Sequence, residues 1–309
     1  MAKRAASVAL LFGVAGVALH EARAASSENA PAECVAQVAA AVRALSPVLG
    51  GKNRRVQAGA QGSIEQVVLG YVPGRFHPVT EGNLPALVSG ASCPSEMALV
   101  QDRFCVDRYE GSLLERLGDG TTKAFSPYET PTADHVYLAQ SVKGVVPQGY
   151  ISAASAEAAC RAVHKRLCQP VEWRAACAGS NGFAYPYGAT RMPGKCHDSG
   201  ASPMLSFHAS SMKRGWGKIE LNDPRNNQLE GTVTKTGSFL ECTNDYGVYD
   251  MVGNLHEWTA DPNGTFQGGY WLDTSQHGDG CAYRTIAHEF GYHDYSTGFR
   301  CCADVEASR

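Results

Sequence analysis

Eleven cysteines, at 34, 93, 105, 160, 168, 177, 196, 242, 281, 301 and 302, constrain this 309-residue chain more than any other feature. What they mean depends on compartment, and the first residues speak to that. Lys3 and Arg4 precede an uncharged run from Ala5 to Leu19, followed by Ala22-Arg23-Ala24. A basic start, a short apolar core and small residues at −3 and −1 make residues 1–24 a secretory signal peptide cleaved after Ala24. The apolar run is short of the ~20 residues that span a bilayer, and no other segment could span one. In an exported chain the cysteines read as several disulfides with one thiol left over. Zinc fits less well: the chain has no CxxC pair, and adjacent Cys301 and Cys302 are poor ligands for one ion.

The formal net charge is −3. Loss of Lys3, Arg4, Glu21 and Arg23 makes it more negative, so composition gives no basic footprint for nucleic acid and no polybasic surface for anionic lipid. The mature chain is long enough for one large domain. Residues 25–92 read as a separate N-terminal region. Val35, Val38, Val42 and Leu45 recur at helical spacing, which predicts a helix from 32 to 45 ending before Pro47, followed by linker. From Cys93 the texture changes. Met97–Val100 and Phe104–Asp107 read as two strands joined by a turn, which puts Cys93 and Cys105 close enough to pair. A helix is expected from Ser152, a good N-cap, to Arg166 on its alanine content. A second is expected from Pro170 to Ala178, with Pro in its first turn and Gly179 as its stop. The Gly-rich remainder shows only short strand-like runs. The expected class is α+β, loop-rich and disulfide-stabilised, over residues 93–304, with 305–309 as a tail.

Four blocks then carry a resemblance. They are Phe104-Cys105-Val106-Asp107-Arg108-Tyr109-Glu110; Ala159-Cys160 with Lys165 to Trp173, Cys177 and Tyr185-Pro186-Tyr187-Gly188; Tyr246 to Asn254 with Glu257-Trp258-Thr259; and Gly268-Gly269 with Arg284 and Gly298 to Asp304. In this order they resemble the formylglycine-generating enzyme, or sulfatase-modifying factor, family. The resemblance implies that family's fold, a variant of the C-type lectin fold. The family's catalysts oxidise a cysteine of a client sulfatase with O2 and hold Cu(I) between two thiolates, which suits a soft ion. The chain departs from that pattern. Asp273 stands where the first of those cysteines belongs, Tyr270 replaces a serine and His256 replaces a tryptophan. Cys281 matches the second cysteine after a small insertion. A carboxylate is a hard ligand and substitutes poorly for thiolate toward Cu(I), so copper chemistry is not expected and Cys281 is expected to be a half-cystine.

The resemblance also implies a Cys160–Cys301 disulfide. Cys168 and Cys302, next to that pair, could form a second. The family's partner for Cys177 falls on Ile286 here, so Cys177 must turn elsewhere, with Cys196 and Cys281 as candidates; Cys34 is the odd thiol. A family calcium site maps onto the side chains of Asp250 and Glu257 and the carbonyls of Gly253 and Leu255, an all-oxygen set suited to Ca2+. His277, His288 and His293, close to Asp273, Asp279, Glu289 and Asp294, could be drawn as an iron or zinc site, but lack metal-site spacing and read better as a charged loop.

The expected protein is thus secreted or held in the cell envelope, without the family's copper chemistry. It would bind a peptide or glycan through Tyr270, Trp271, Tyr283, Tyr292 and Tyr295. The alternative is an O2-dependent metal oxidoreductase, formylglycine-generating or non-heme iron in type, built on Cys281 with Asp273 or a histidine.

Overall fold

Two apolar tetrapeptides open the domain. β1 (Met97–Val100) and β2 (Phe104–Asp107) pair antiparallel across a turn in which Gln101 and Asp102 take left-handed backbone, at φ 52° and 54°. β2 is buried along its length because it runs inside a four-stranded sheet ordered β1-β2-β11-β6, with β6 at Arg166–Leu167 and β11 at Cys301–Asp304. The computed structural model describes residues 83–286 and 288–305, all within the unit Val79–Arg309. The expected signal peptide, the helix expected at 32–45, Cys34 and the tail beyond 305 lie outside the described residues.

β3 (Gly111–Arg116) lies between β4 (Thr122–Ala124) and β5 (Val136–Ser141), and its inward and outward residues alternate as a half-buried strand requires. Gly111 has no room for a side chain, since a Cβ there would sit 2.5 Å from the ring of Phe299. The third sheet, ordered β10-β7-β8-β9, joins β7 (His256–Trp258) in parallel to β10 (Thr297–Phe299) and antiparallel to β8 (Phe266–Gln267), which pairs with β9 (Arg284–Thr285).

The first helix, α1 (Ala153–Arg161), is capped by Ser152, whose hydroxyl accepts the N–H of Ser155. It stops five residues before the expected Arg166. His164 turns left-handed at φ 61°, the Lys165 N–H returns to the Cys160 carbonyl, and Arg166–Leu167 joins β11 as β6. α2 (Pro170–Ala178) has the expected bounds. Its Glu172 carboxylate accepts the Gln169 N–H, and Gly179 ends it at φ 67°. Two short helices, α3 (Pro203–Phe207) and α4 (Lys218–Leu221), stand in the Gly-rich region where only short strand-like runs were expected.

Five disulfides tie these elements: Cys93–Cys105, Cys160–Cys301, Cys168–Cys302, Cys177–Cys281 and Cys196–Cys242. Adjacent residues of β11 project to opposite faces of their sheet. Cys301 therefore reaches the end of α1 and Cys302 the residue just ahead of α2. No helix among the described residues is long and apolar enough to cross a membrane.

Candidate functional site

The segment after Gly268-Gly269 begins as a tight turn. Gly269, at φ 72°, approaches the Asp273 carbonyl too closely for any Cβ, and Tyr270 and Asp273 exchange both backbone hydrogen bonds. The Asp273 carboxylate faces inward. One oxygen accepts the N–H groups of Ser275 and Gln276, and the other accepts the Tyr283 hydroxyl at 2.9 Å. Burial, then the bond to Asp273, pushes the Tyr283 phenol well above its usual range. Cys281, on the neighbouring turn, is bonded to Cys177 and donates its N–H to the Ala184 carbonyl. So, of the two positions at which the family pattern places copper-binding cysteines, one carries a carboxylate that organises a turn, and the other carries a sulfur engaged in a disulfide. This donor set does not fit Cu(I).

His256 lies beside this turn. Its imidazole packs against Tyr270 at 4.9 Å, Tyr283 at 5.5 Å and Phe266 at 4.5 Å, and its buried Nδ1 has no hydrogen-bond partner. The three residues that depart from the family pattern, His256, Tyr270 and Asp273, are therefore one connected network, closed by Tyr283.

Burial holds the His256 imidazole far below its usual range, at about 3; Asp273 pulls it up, and His288 and His277 push it down. The unfolded chain takes a proton on this residue near 6.5 and the folded chain only near 3. Stability from this group is complete above the unfolded value. It falls by about 1.4 kcal/mol per pH unit as pH drops between the two. Urea melts at pH 7 and pH 4.5 should show His256→Phe losing less stability on acidification than the parent. Equal losses would mean that the imidazole is protonated inside the fold.

The aromatic surface needs correction. Trp271 is fully buried, its indole N–H given to the Ala201 carbonyl, and Tyr283 and Tyr295 are buried too. Only Tyr270 and Tyr292 of the expected five keep part of their surface in solvent. The histidines do not gather with the acids. His293 bonds Asn222, Asp294 accepts from Tyr292 and Ser296, and His288 stacks on Phe266 at 4.4 Å. Among the described residues no three His, Cys, Asp or Glu side chains are grouped to hold a metal ion.

The carboxylates expected to bind calcium are both buried. Glu257 accepts Nε and Nη2 of Arg300 at 2.6 Å each and the Trp173 indole N–H at 2.6 Å. Asp250, left-handed at φ 58°, accepts the Gly237 N–H. Burial raises Asp250 to about 6. As arranged this set does not fit Ca2+, because a guanidinium already occupies the Glu257 carboxylate where a second cation would have to sit. Glu110 completes the cluster. It accepts the side-chain N–H of Asn254 and the N–H of Leu255, and burial, then the charges of Asp250 and Glu257, hold it well above the carboxylate range. Glu110 and Arg300 had no site role in the sequence reading. Their presence in the first and fourth blocks was the available signal.

The frame is a loop-rich α+β domain of the C-type-lectin-like class, carrying five disulfides among its described residues. The chain belongs to the sulfatase-modifying factor family: residues 77–305 match the family described as "Sulfatase-modifying factor enzyme 1-like domain". It is 30% identical over 137 residues to "Inactive C-alpha-formylglycine-generating enzyme 2" of Bos taurus, a match covering 42% of this chain and 40% of that protein. The chain thus spans well under half the length of that curated relative. Among solved structures, "Major Tropism Determinant U1 Variant" aligns with TM-score 0.41 and 14% identity, over 72% of this chain and 55% of that one. "Treponema denticola variable protein 1" aligns with TM-score 0.31 and 17% identity, over 62% of each chain.

Proposed function

We propose that this chain is an exported member of its family that has given up cysteine oxidation and serves as a binding module. The single observation that carries this reading is the joint replacement around the turn. Asp273, Tyr270 and His256 satisfy or pack against one another, while Cys281 is bridged to Cys177. A site that had merely lost one ligand would leave the other sulfur free. The inactive designation of the bovine relative supports the same reading. The ligand, a peptide or a glycan, would meet the half-exposed edges of Tyr270 and Tyr292. An oxidoreductase built on Cys281 would need that sulfur as a thiolate, which the disulfide denies it.

The test combines two measurements on protein purified without reductant. Peptide mapping should recover Cys281 joined to Cys177. Incubation with Cu(I), O2 and a cysteine-containing sulfatase peptide should give no aldehyde. Aldehyde formation, or copper bound at one per chain with Cys281 free, overturns the proposal.

A further inference from the structure

The segment from α3 to α4 presents its apolar side chains outward. Leu205, Phe207, Met212, Trp216 and Ile219 are all exposed, Leu205 and Met212 by about half and Ile219 by 87%. From Met212 to Ile219 every residue is exposed, so this stretch stands clear of the domain rather than lining a groove. It is nonetheless built. Ser202 caps α3 through the Leu205 N–H, Trp216 gives its indole N–H to the His208 carbonyl, Arg214 bonds Ser211 and Glu220, and the Arg225 guanidinium lies 5.2 Å over the Phe207 ring. The charges here are biased. Lys213, Arg214 and Lys218 face one acid, Glu220, which Arg214 neutralises, so Lys213 and Lys218 have no ion-pair partner among the described residues.

A projecting set of aliphatic and aromatic side chains ringed by unpaired lysines has the chemistry of a bilayer interface. The apolar groups reach the acyl boundary, the indole sits at headgroup depth, and the lysines meet anionic headgroups. We propose that residues 205–219 dock the domain peripherally on anionic phospholipid membranes. The two lysines without ion-pair partners beside the apolar set favour an anionic lipid surface over an apolar protein groove as its occupant. The net negative charge of the whole chain hides this feature, since it averages a local basic cluster into an acidic background.

The tryptophans supply a direct readout. Of the four, Trp173, Trp258 and Trp271 are fully buried and only Trp216 is exposed. Vesicles of phosphatidylcholine mixed with phosphatidylglycerol, added to the full mature chain, should shift the emission to the blue and protect it from an aqueous quencher. Phosphatidylcholine alone should bind about tenfold more weakly, and salt should narrow that gap. Measured by co-sedimentation with the same vesicles, which needs no Trp216 emission, Trp216→Ala with Ile219→Asp should weaken binding at least tenfold. Lys213→Glu with Lys218→Glu should remove the preference for the anionic lipid. These residues are exposed, so melting temperature serves as the control that each variant folds. No vesicle binding at low salt, binding unaffected by the Trp216 and Ile219 changes, or a soluble oligomer that those changes dissociate would each overturn the proposal; the last would assign the patch to a second copy of the chain.

Discussion

Replacing Arg300 with methionine should destabilise the domain by about 3–5 kcal/mol, the cost of stranding a buried charge. Arg300 is wholly buried. It holds both oxygens of Glu257 and also donates to the Asp107 and Tyr249 carbonyls. Methionine fills much of the volume and supplies none of these bonds. Glu257 would keep only the Trp173 indole, and Glu110, Asp250 and Glu257 would share a buried space without their cation. The protonated forms of Glu110 and Asp250 would then be favoured further. Folded carboxyls with raised values bind more protons than unfolded ones, so the penalty should grow as pH rises from 5 to 8. Glu257→Gln combined with Arg300→Met should cost less than the two single changes added together, because each removes the other's stranded partner. Urea unfolding of the three variants at both pH values measures this, and strictly additive, pH-independent losses would refute it.

The second large effect is cooperative. Cys160–Cys301 and Cys168–Cys302 close loops of 141 and 134 residues, and both end on neighbouring residues of one strand. While either bond remains, the long loop stays closed, and losing the other frees only the short stretch between residues 160 and 168. Converting one pair to serine should therefore cost about 2–3 kcal/mol, the loop entropy of such a short closure. Converting the second pair as well opens a larger loop, but Cys177–Cys281 still bridges most of it, leaving a closure of under about 40 residues that should cost about 3.5–4 kcal/mol more. The quadruple variant should therefore lose about 1 kcal/mol more than the sum of the two doubles in urea or thermal unfolding. Simple addition would show that the two bonds act independently.

The sequence carried the frame further than it carried the site. β1, β2 and α2 were legible because each is decided locally, by an apolar run, a turn, or a proline and glycine at the two ends. The end of α1 was not. Alanine content favours continuing the helix to Arg166, but the chain must reverse at His164 so that Cys160 and Cys168 can reach adjacent residues 301 and 302. Trp271 and Tyr283 read as contact residues because aromatic composition does not reveal depth, and the groups that cover Trp271 come from residues 200 and 201. Asp250 and Glu257 were assigned calcium through the family resemblance, which did not take in the guanidinium that reaches Glu257 from 43 residues further along. Position 281 was readable as a half-cystine, but the partner of Cys177 was open between Cys196 and Cys281, since spacing alone does not choose.

The paired bonds at Cys301 and Cys302 work as a clasp on a necklace. The excursion between residue 168 and residue 302 leaves and returns at one fastened point, so its beads can be exchanged without the string coming undone. A frame secured in this way can take up different side chains at the turn, here a packed tyrosine, histidine and aspartate, while the surrounding architecture stays as it is.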